Sequence, residues 1–392
     1  MRPLDGLTII DLTSVVAGPF ATQLLAQQGA RVIKVEPPEG DRARMLGVIG
    51  APQFSSAHAF LNSGKESVGL DLGKDGGVAM LRQLAGSADA LVHNFRPGVM
   101  DRLGLGVAVL HALNPRLVIA RISGFGQDGP CRGERAYDPI LQAESGMAMR
   151  DDNGVPHLLP QYICDKIAGL YAAQAVSAAL FERARSGHGS VVDLSMLEAA
   201  VAFGWVDVHA RETFQVTPPP SMLATVYRPW ATRDGWVVIV MLSQAEFEGW
   251  AHALALPALL DDPRFCDMPT RFRHWDALRE LGGEALAALS TDEAVARLQA
   301  AGVPCGIART SAQLRSHAQL AADQFLATHH HASTGPTTLP LPVARFNHTR
   351  RPPPGPAPAL GEHTRTVLTH FGFTQPQIDA AFANGTAHTI PR

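Results

Sequence analysis

In the first half of the chain, short apolar runs alternate with stretches of helical spacing. Residues 7–11 (LTIID) form one such run and are expected to be a buried strand. Residues 19–28 (PFATQLLAQQ) follow a helix pattern, opened by Pro19 and closed by Gly29. Residues 31–35 (RVIKV) are a second strand. Strand, helix and strand within about 30 residues make a βαβ unit, and hence a parallel sheet. The theme returns. Residues 77–85 are helical, and residues 90–92, 116–122 and 190–194 are strand-like. Residues 166–185 are rich in Ala and Leu and run into Gly187, a helix with a C-terminal stop, and residues 196–211 read as a further helix.

Beyond this the texture changes. Residues 217–220 (TPPP) read as a linker. After them come a hairpin over residues 226–240 that turns at Asp234-Gly235, two or three helices between 244 and 301, and a strand around 305–308. Residues 334–342 are irregular, residues 352–358 (PPPGPAP) form an extended tether, and the tail over 360–382 ends in helix. No internal repeat is visible. The expectation is an α/β fold, with a large Rossmann-like parallel-sheet domain and a smaller α/β domain. Residues 1–216 would form the N-terminal part of the large domain, 222–328 the small one, and 334–392 would return to complete the large one.

Composition narrows the function. With 392 residues and 46% apolar content, the chain can bury a substantial core. Only 18% of residues are charged and the net charge is −3, so the basic excess of a nucleic-acid binder is missing. Cys131, Cys164, Cys266 and Cys305 are widely spaced with no CxxC pair, which argues against a zinc or disulfide framework and fits a reducing cytosol. The opening MRPLDGLTIIDLT lacks a basic-then-apolar leader, and no apolar run approaches a membrane span. A cytoplasmic protein is expected, without a metal.

Several motifs invite chemistry. Glu36 ends the second strand like the ribose-holding acid of a dinucleotide site, but the first turn (SVVAGPF) supplies only Gly18, so that fingerprint fails. A GxGxxG string at Gly124, Gly126 and Gly129 follows a strand, yet no apolar helix opens after it; it reads as a loop that lets backbone approach a ligand. His329, His330 and His331 are adjacent, so they cannot converge on one metal and read as a solvated strand or loop. Lys34, Arg42, Arg44, Lys65, Lys74, Arg96, Arg102 and Arg135 sit mostly at strand ends or in loops, as solvated charge or as a phosphate-binding edge. Asp165 precedes the long helix. Locally it is a helix N-cap; the alternative is a carboxylate that reacts.

Taken together, LDGLTIIDLTSVVAGPFATQLLAQQGARVIKVEPPEGD, LNSGKESVGLDL, VHNFRPGVMDRLGL, ISGFGQDGP, the Asp165 segment, ARSGHGSVVDLSMLEA, RPWATRDGWVVI, AGVPCG and LGEHT resemble the class III CoA-transferase family. The likeness runs in order through nearly the whole chain. It implies that Asp165, upstream of SGHG, is a covalent nucleophile that carries CoA from an acyl-CoA donor to a carboxylic acid acceptor. It implies that coenzyme A is bound by Val15, Ala17, Leu72, Lys74, Asn94, Phe95, Arg102, Arg135 and Tyr137, as substrate rather than as a tightly held cofactor. It also implies an interlocked homodimer with no nucleic-acid or membrane partner. Glu66, Pro37 and Ser190 depart from the family's usual residues. The racemase branch of the same superfamily is the rival reading, but Tyr137 stands where its histidine base would be, and an ordinary tyrosine near pKa 10 suits proton abstraction poorly at neutral pH. A non-catalytic CoA binder is the third reading.

Overall fold

A computed structural model describes residues 2–150, 153–214, 227–352 and 355–390. Two compact units are present: residues 1–215 with 325–392, and residues 216–324. The TPPP stretch, the first residue of the expected hairpin and part of the proline-rich tether lie outside the described residues.

The larger unit is built on a seven-stranded sheet. Its strands are β1 (Thr8–Leu12), β2 (Arg31–Glu36), β3 (Glu66–Leu70), β4 (Ala90–His93), β5 (Val118–Ser123), β6 (Val191–Ser195) and a short C-terminal strand, Ala387–His388. The order is β6-β5-β4-β1-β2-β3, with Ala387–His388 on the outer edge of β3. The first six are parallel and the edge strand is antiparallel. Strand residues alternate faces. Ile9, Val32 and Val92 pack under helices α1 (Ala17–Gln27) and α4 (Ile163–Ser186), while Ile10, Ile33 and Leu91 pack under α2 (Asp75–Gly86) and the C-terminal helices Thr364–His370 and Gln375–Ala383. Two further helices matter for the site: α3 (Asp138–Glu144) and α5 (Met196–Phe203).

Three expectations need correction. The helix expected over 196–211 stops at Phe203, where Gly204 occupies the C-cap, and the chain continues in short 3₁₀ turns. The stretch expected to be irregular over 334–342 contains the strand Gly335–Pro340, paired with Leu326–His331. Its prolines fit because both strands of a two-stranded ribbon have a free edge. On that ribbon His331 is buried, not solvated: one ring nitrogen lies 3.1 Å from the Ala357 carbonyl and the other accepts the Ser333 N–H at 3.0 Å.

The smaller unit carries a three-stranded antiparallel sheet of Trp230–Ala231, Trp236–Ile239 and Cys305–Ile307. Asp234-Gly235 lies in the hairpin loop as expected. Helices Gln244–Ala253, Trp275–Ala287 and Thr291–Ala300 close a core of Trp230, Phe247, Trp250, Trp275 and Leu278. Among the described residues, no helix is long and apolar enough to cross a membrane.

Candidate active site

The order 3-2-1-4-5-6 places β1 beside β4, with the crossovers departing in opposite directions. A crevice opens at the carboxyl ends of strands at such a point. Here Asn94, just after β4, clamps the loop after β1: its Oδ1 accepts the Ser14 N–H at 2.9 Å and its Nδ2 donates to the Ser14 carbonyl at 2.8 Å. A cavity of about 260 Å³ follows, bounded by Val15, Asn94, Phe95, Arg135, Tyr137 and Asp165 among others. Gly124, from the GxGxxG string, also lines it. A Cβ there would sit 2.2 Å from that of Ala136, so only glycine lets these loops meet.

Asp165 is not the N-cap. The helix begins two residues earlier at Ile163, with Tyr162 in the cap position and no side-chain cap bond, so Asp165 falls in the first turn. Capping is supplied from another helix. Asp138, buried at the start of α3, accepts the Asp165 N–H on Oδ2 at 3.0 Å. Its Oδ1 accepts from Gln142 Nε2 at 2.6 Å. Gln142 in turn donates to the carbonyls of Leu159 and Gln161, each at 3.1 Å, and accepts the Leu159 N–H at 2.9 Å. Asp138 and Gln142 thus bracket the extended segment that leads into the helix.

The Asp165 carboxyl lies beside the first N–H of α1, that of Ala17, which pulls its pKa down. Two helix N-termini therefore converge on it, which favours the anion. Burial and the neighbouring Asp138 charge act the other way and prevail, pushing its pKa up to about 7. Close approach of the two helices depends on Gly169, where a Cβ would lie 2.8 Å from the Ala17 carbonyl.

The loop that delivers Ala17 is strained. Val15 has φ +72°, a left-handed conformation that costs a β-branched residue on the order of 1–3 kcal/mol. Beneath it lie six charged residues no more than 4% exposed: Asp11, Lys34, Glu36, Asp41, Arg44 and Lys65. They pair as Lys65–Asp11 at 2.9 Å, Lys34–Asp41 at 2.7 Å and Arg44–Glu36 at 2.7 Å. Burial pushes Asp11 and Glu36 upward, but the facing cations outweigh it and hold both near 2. Lys34, Arg44 and Lys65 are therefore neither solvated charge nor a phosphate edge; each is consumed by a buried carboxylate. Glu36 is likewise an ion-pair partner, and Glu66 pairs with Arg31 at 2.9 Å.

Of the residues singled out from sequence, Val15, Asn94, Phe95, Arg135, Tyr137 and Asp165 share the cavity, and the Ala17 N–H lies beside Asp165. Leu72, Lys74 and Arg102 do not line it. Leu72 packs against the core under α2, Lys74 donates to the Asn384 carbonyl at 2.7 Å, and Arg102 is exposed on the short helix Val99–Arg102. Sequence reading missed Asp138, Gln142 and Asp41. AYDP was the available signal for Asp138, since an Asp-Pro start marks a helix; nothing local pointed across to Asp165. Arg42, Arg96, Arg132 and Arg135 line the cavity, and among the described residues none of them has an ion-pair partner.

The sequence profile of CoA-transferase family III matches residues 4–364. A succinyl-CoA–D-citramalate CoA-transferase of Chloroflexus aurantiacus is 34% identical, over 95% of this chain and 95% of its own length. An acetyl-CoA:oxalate CoA-transferase of Acetobacter aceti is 36% identical, over 83% of this chain and 85% of its own length. A solved structure of a CAIB/BAIF family protein from Brucella suis superposes with a TM-score of 0.84 at 27% identity, covering 94% of this chain and 99% of that one. With the family's profile matched along nearly its whole length, the protein is an enzyme and belongs to CoA-transferase family III.

Proposed function

We propose that this enzyme moves CoA from an acyl-CoA donor to a carboxylic acid through a covalent aspartyl-CoA thioester at Asp165. The observation that carries the reading is the setting of that carboxyl: on the wall of the switch-point cavity, beside the Ala17 N–H, with a pKa near 7. A carboxylate of raised basicity is a better nucleophile, and at neutral pH about half of it is ionised.

The Asp165 carboxylate attacks the donor thioester carbon, and the C–S bond breaks. This gives a mixed anhydride and CoA thiolate. The thiolate attacks the Asp165 carbonyl and expels the donor acid as its carboxylate, leaving the aspartyl thioester. The acceptor carboxylate then attacks that thioester, forming a second anhydride and thiolate. Attack of the thiolate on the acceptor's carbonyl yields the new acyl-CoA and restores Asp165. No proton is consumed overall. The unpaired arginines of the cavity supply positive charge for the phosphates of CoA and for the acid. Val15, Ala17, Leu72, Lys74, Asn94, Phe95, Arg102, Arg135 and Tyr137 remain the expected CoA contacts, an assignment that rests on resemblance. So do an interlocked homodimer, which light scattering would test, and a cytoplasmic location.

Intact-mass measurement after incubation with short acyl-CoAs, without acceptor, tests the reading. A hydroxylamine-labile CoA adduct absent from Asp165→Ala is expected; no adduct with any donor would overturn it. The racemase reading would instead move deuterium from D₂O into the acyl α-carbon. Among the described residues no histidine lines the cavity to serve as its base, which supports the transferase.

A further inference from the structure

The turn joining β1 to α1 is held by side chains. From the Thr13 N–H to the Val15 N–H there are five consecutive backbone polar groups, and a side chain satisfies each one. Asp11 accepts from Thr13 at 2.8 Å, Lys34 donates to the Thr13 carbonyl at 2.8 Å, and Asn94 takes both groups of Ser14. Asp41 accepts from Val15 at 2.9 Å. Asp41 is the hub. The same Oδ1 accepts the Ala43 N–H at 2.9 Å, Oδ2 faces Lys34 at 2.7 Å, and its own N–H donates to Glu36 at 3.0 Å. It is 4% exposed and does not line the cavity.

A buried ion pair contributes little net stability compared with apolar residues of the same size. A left-handed valine persists only where its surroundings over-determine it. Both costs fall on a turn two residues ahead of the Ala17 N–H, which lies beside the Asp165 carboxyl. We propose that Asp41, itself held by Lys34, is a positioning residue that locks Val15 in the left-handed turn and so aims the Ala17 N–H at the Asp165 carboxyl. This rests on the reading that Asp165 reacts. When thiolate attacks the Asp165 carbonyl, negative charge develops on the carbonyl oxygen, and a preset backbone N–H stabilises that charge.

Two charge-neutral double variants test this. Lys34→Met with Asp41→Ala removes the buried pair and the acceptor for Val15; Lys34→Met with Asp41→Asn removes the same pair but keeps an amide oxygen there. The first is expected to form the CoA adduct at least tenfold more slowly than wild type, with CoA affinity changed less than threefold, and the second to recover most of that loss. Equal rates in the two variants would overturn the proposal. Infrared titration of Asp165, read as a difference against Asp165→Asn, gives a readout that needs no turnover. Losing the Ala17 N–H raises the Asp165 midpoint in the first variant and not in the second. Should the wild type form no adduct, the covalent reading fails, and the titration alone still decides the role of Asp41. Should neither variant fold, a crystal structure of the wild type with acyl-CoA decides it. Val15 N–H off Asp41, or Ala17 N–H off Asp165, would overturn the assignment.

Discussion

Asp138 and Asp165 are two carboxylates joined through backbone: Asp138 Oδ2 accepts the Asp165 N–H at 3.0 Å. One residue thus does two things to its neighbour. It fixes the first turn of α4, and its charge helps raise the Asp165 pKa. Asp138→Asn is expected to separate these roles. Removing the charge moves the acid limb of the rate profile to lower pH. Loss of one good acceptor lowers the plateau rate by about tenfold, as a misplaced reacting group does. The pH dependence of adduct formation is the measurement; an unmoved limb would remove Asp138 from the account.

Asp165 should cost stability where it ionises. Its folded pKa, near 7, lies above the ordinary 3.8, so the folded state binds the proton more tightly. Stability contributed by that proton is complete below about pH 4 and is lost as pH rises through 7. Asp165→Asn should therefore raise the melting temperature at pH 8, by roughly 2–4 °C, and leave it unchanged at pH 4. Thermal denaturation at the two pH values settles it.

The buried ion pairs predict the opposite dependence. Asp11 and Glu36 sit near 2, below the ordinary carboxylate range, so their stabilisation is present above about pH 4.5 and disappears as pH falls towards 2. Lys65→Met leaves Asp11 buried and unpaired and should cost about 3–5 kcal/mol, measured by urea unfolding.

Glycines separate tight from open helix packing. Gly169→Ala would press a methyl against the Ala17 carbonyl and Phe20, and should cost about 1–3 kcal/mol while slowing adduct formation. Gly283→Ala, on a helix of the smaller unit where an added Cβ would meet none of the described residues within 4 Å, should gain about 0.5–1 kcal/mol and leave the chemistry alone. Matched denaturation curves and adduct rates compare the two.

With Arg135 proposed as a CoA contact throughout the cycle, Arg135→Gln should raise KM for acyl-CoA about tenfold with little change in kcat. Steady-state kinetics at two salt concentrations would show it, with the larger effect at low salt.

The parallel strands were legible because buried strands read as unbroken apolar runs. ESVGL was harder to read: Glu66, Ser67 and Gly69 interrupt it, yet it is β3. The start of the long helix near Asp165 was legible, but the exact place of Asp165 in its first turn was not, since the partner that caps it comes from α3, 27 residues earlier. The basic cluster was misread for a related reason. Composition shows Lys34, Arg44 and Lys65 as charges but not the carboxylates buried against them. Long-range pairing is what a one-dimensional pattern hides.

The edge strand Ala387–His388 also bears on how the chain is made. It seals β3 with residues that leave the ribosome long after β3 has been made. Until that strand emerges, the nascent sheet carries an open flank able to accept a strand from another chain. The last helical turns and this small strand act as the latch that ends that exposure, and truncation there would be felt first as aggregation during expression rather than as lost chemistry.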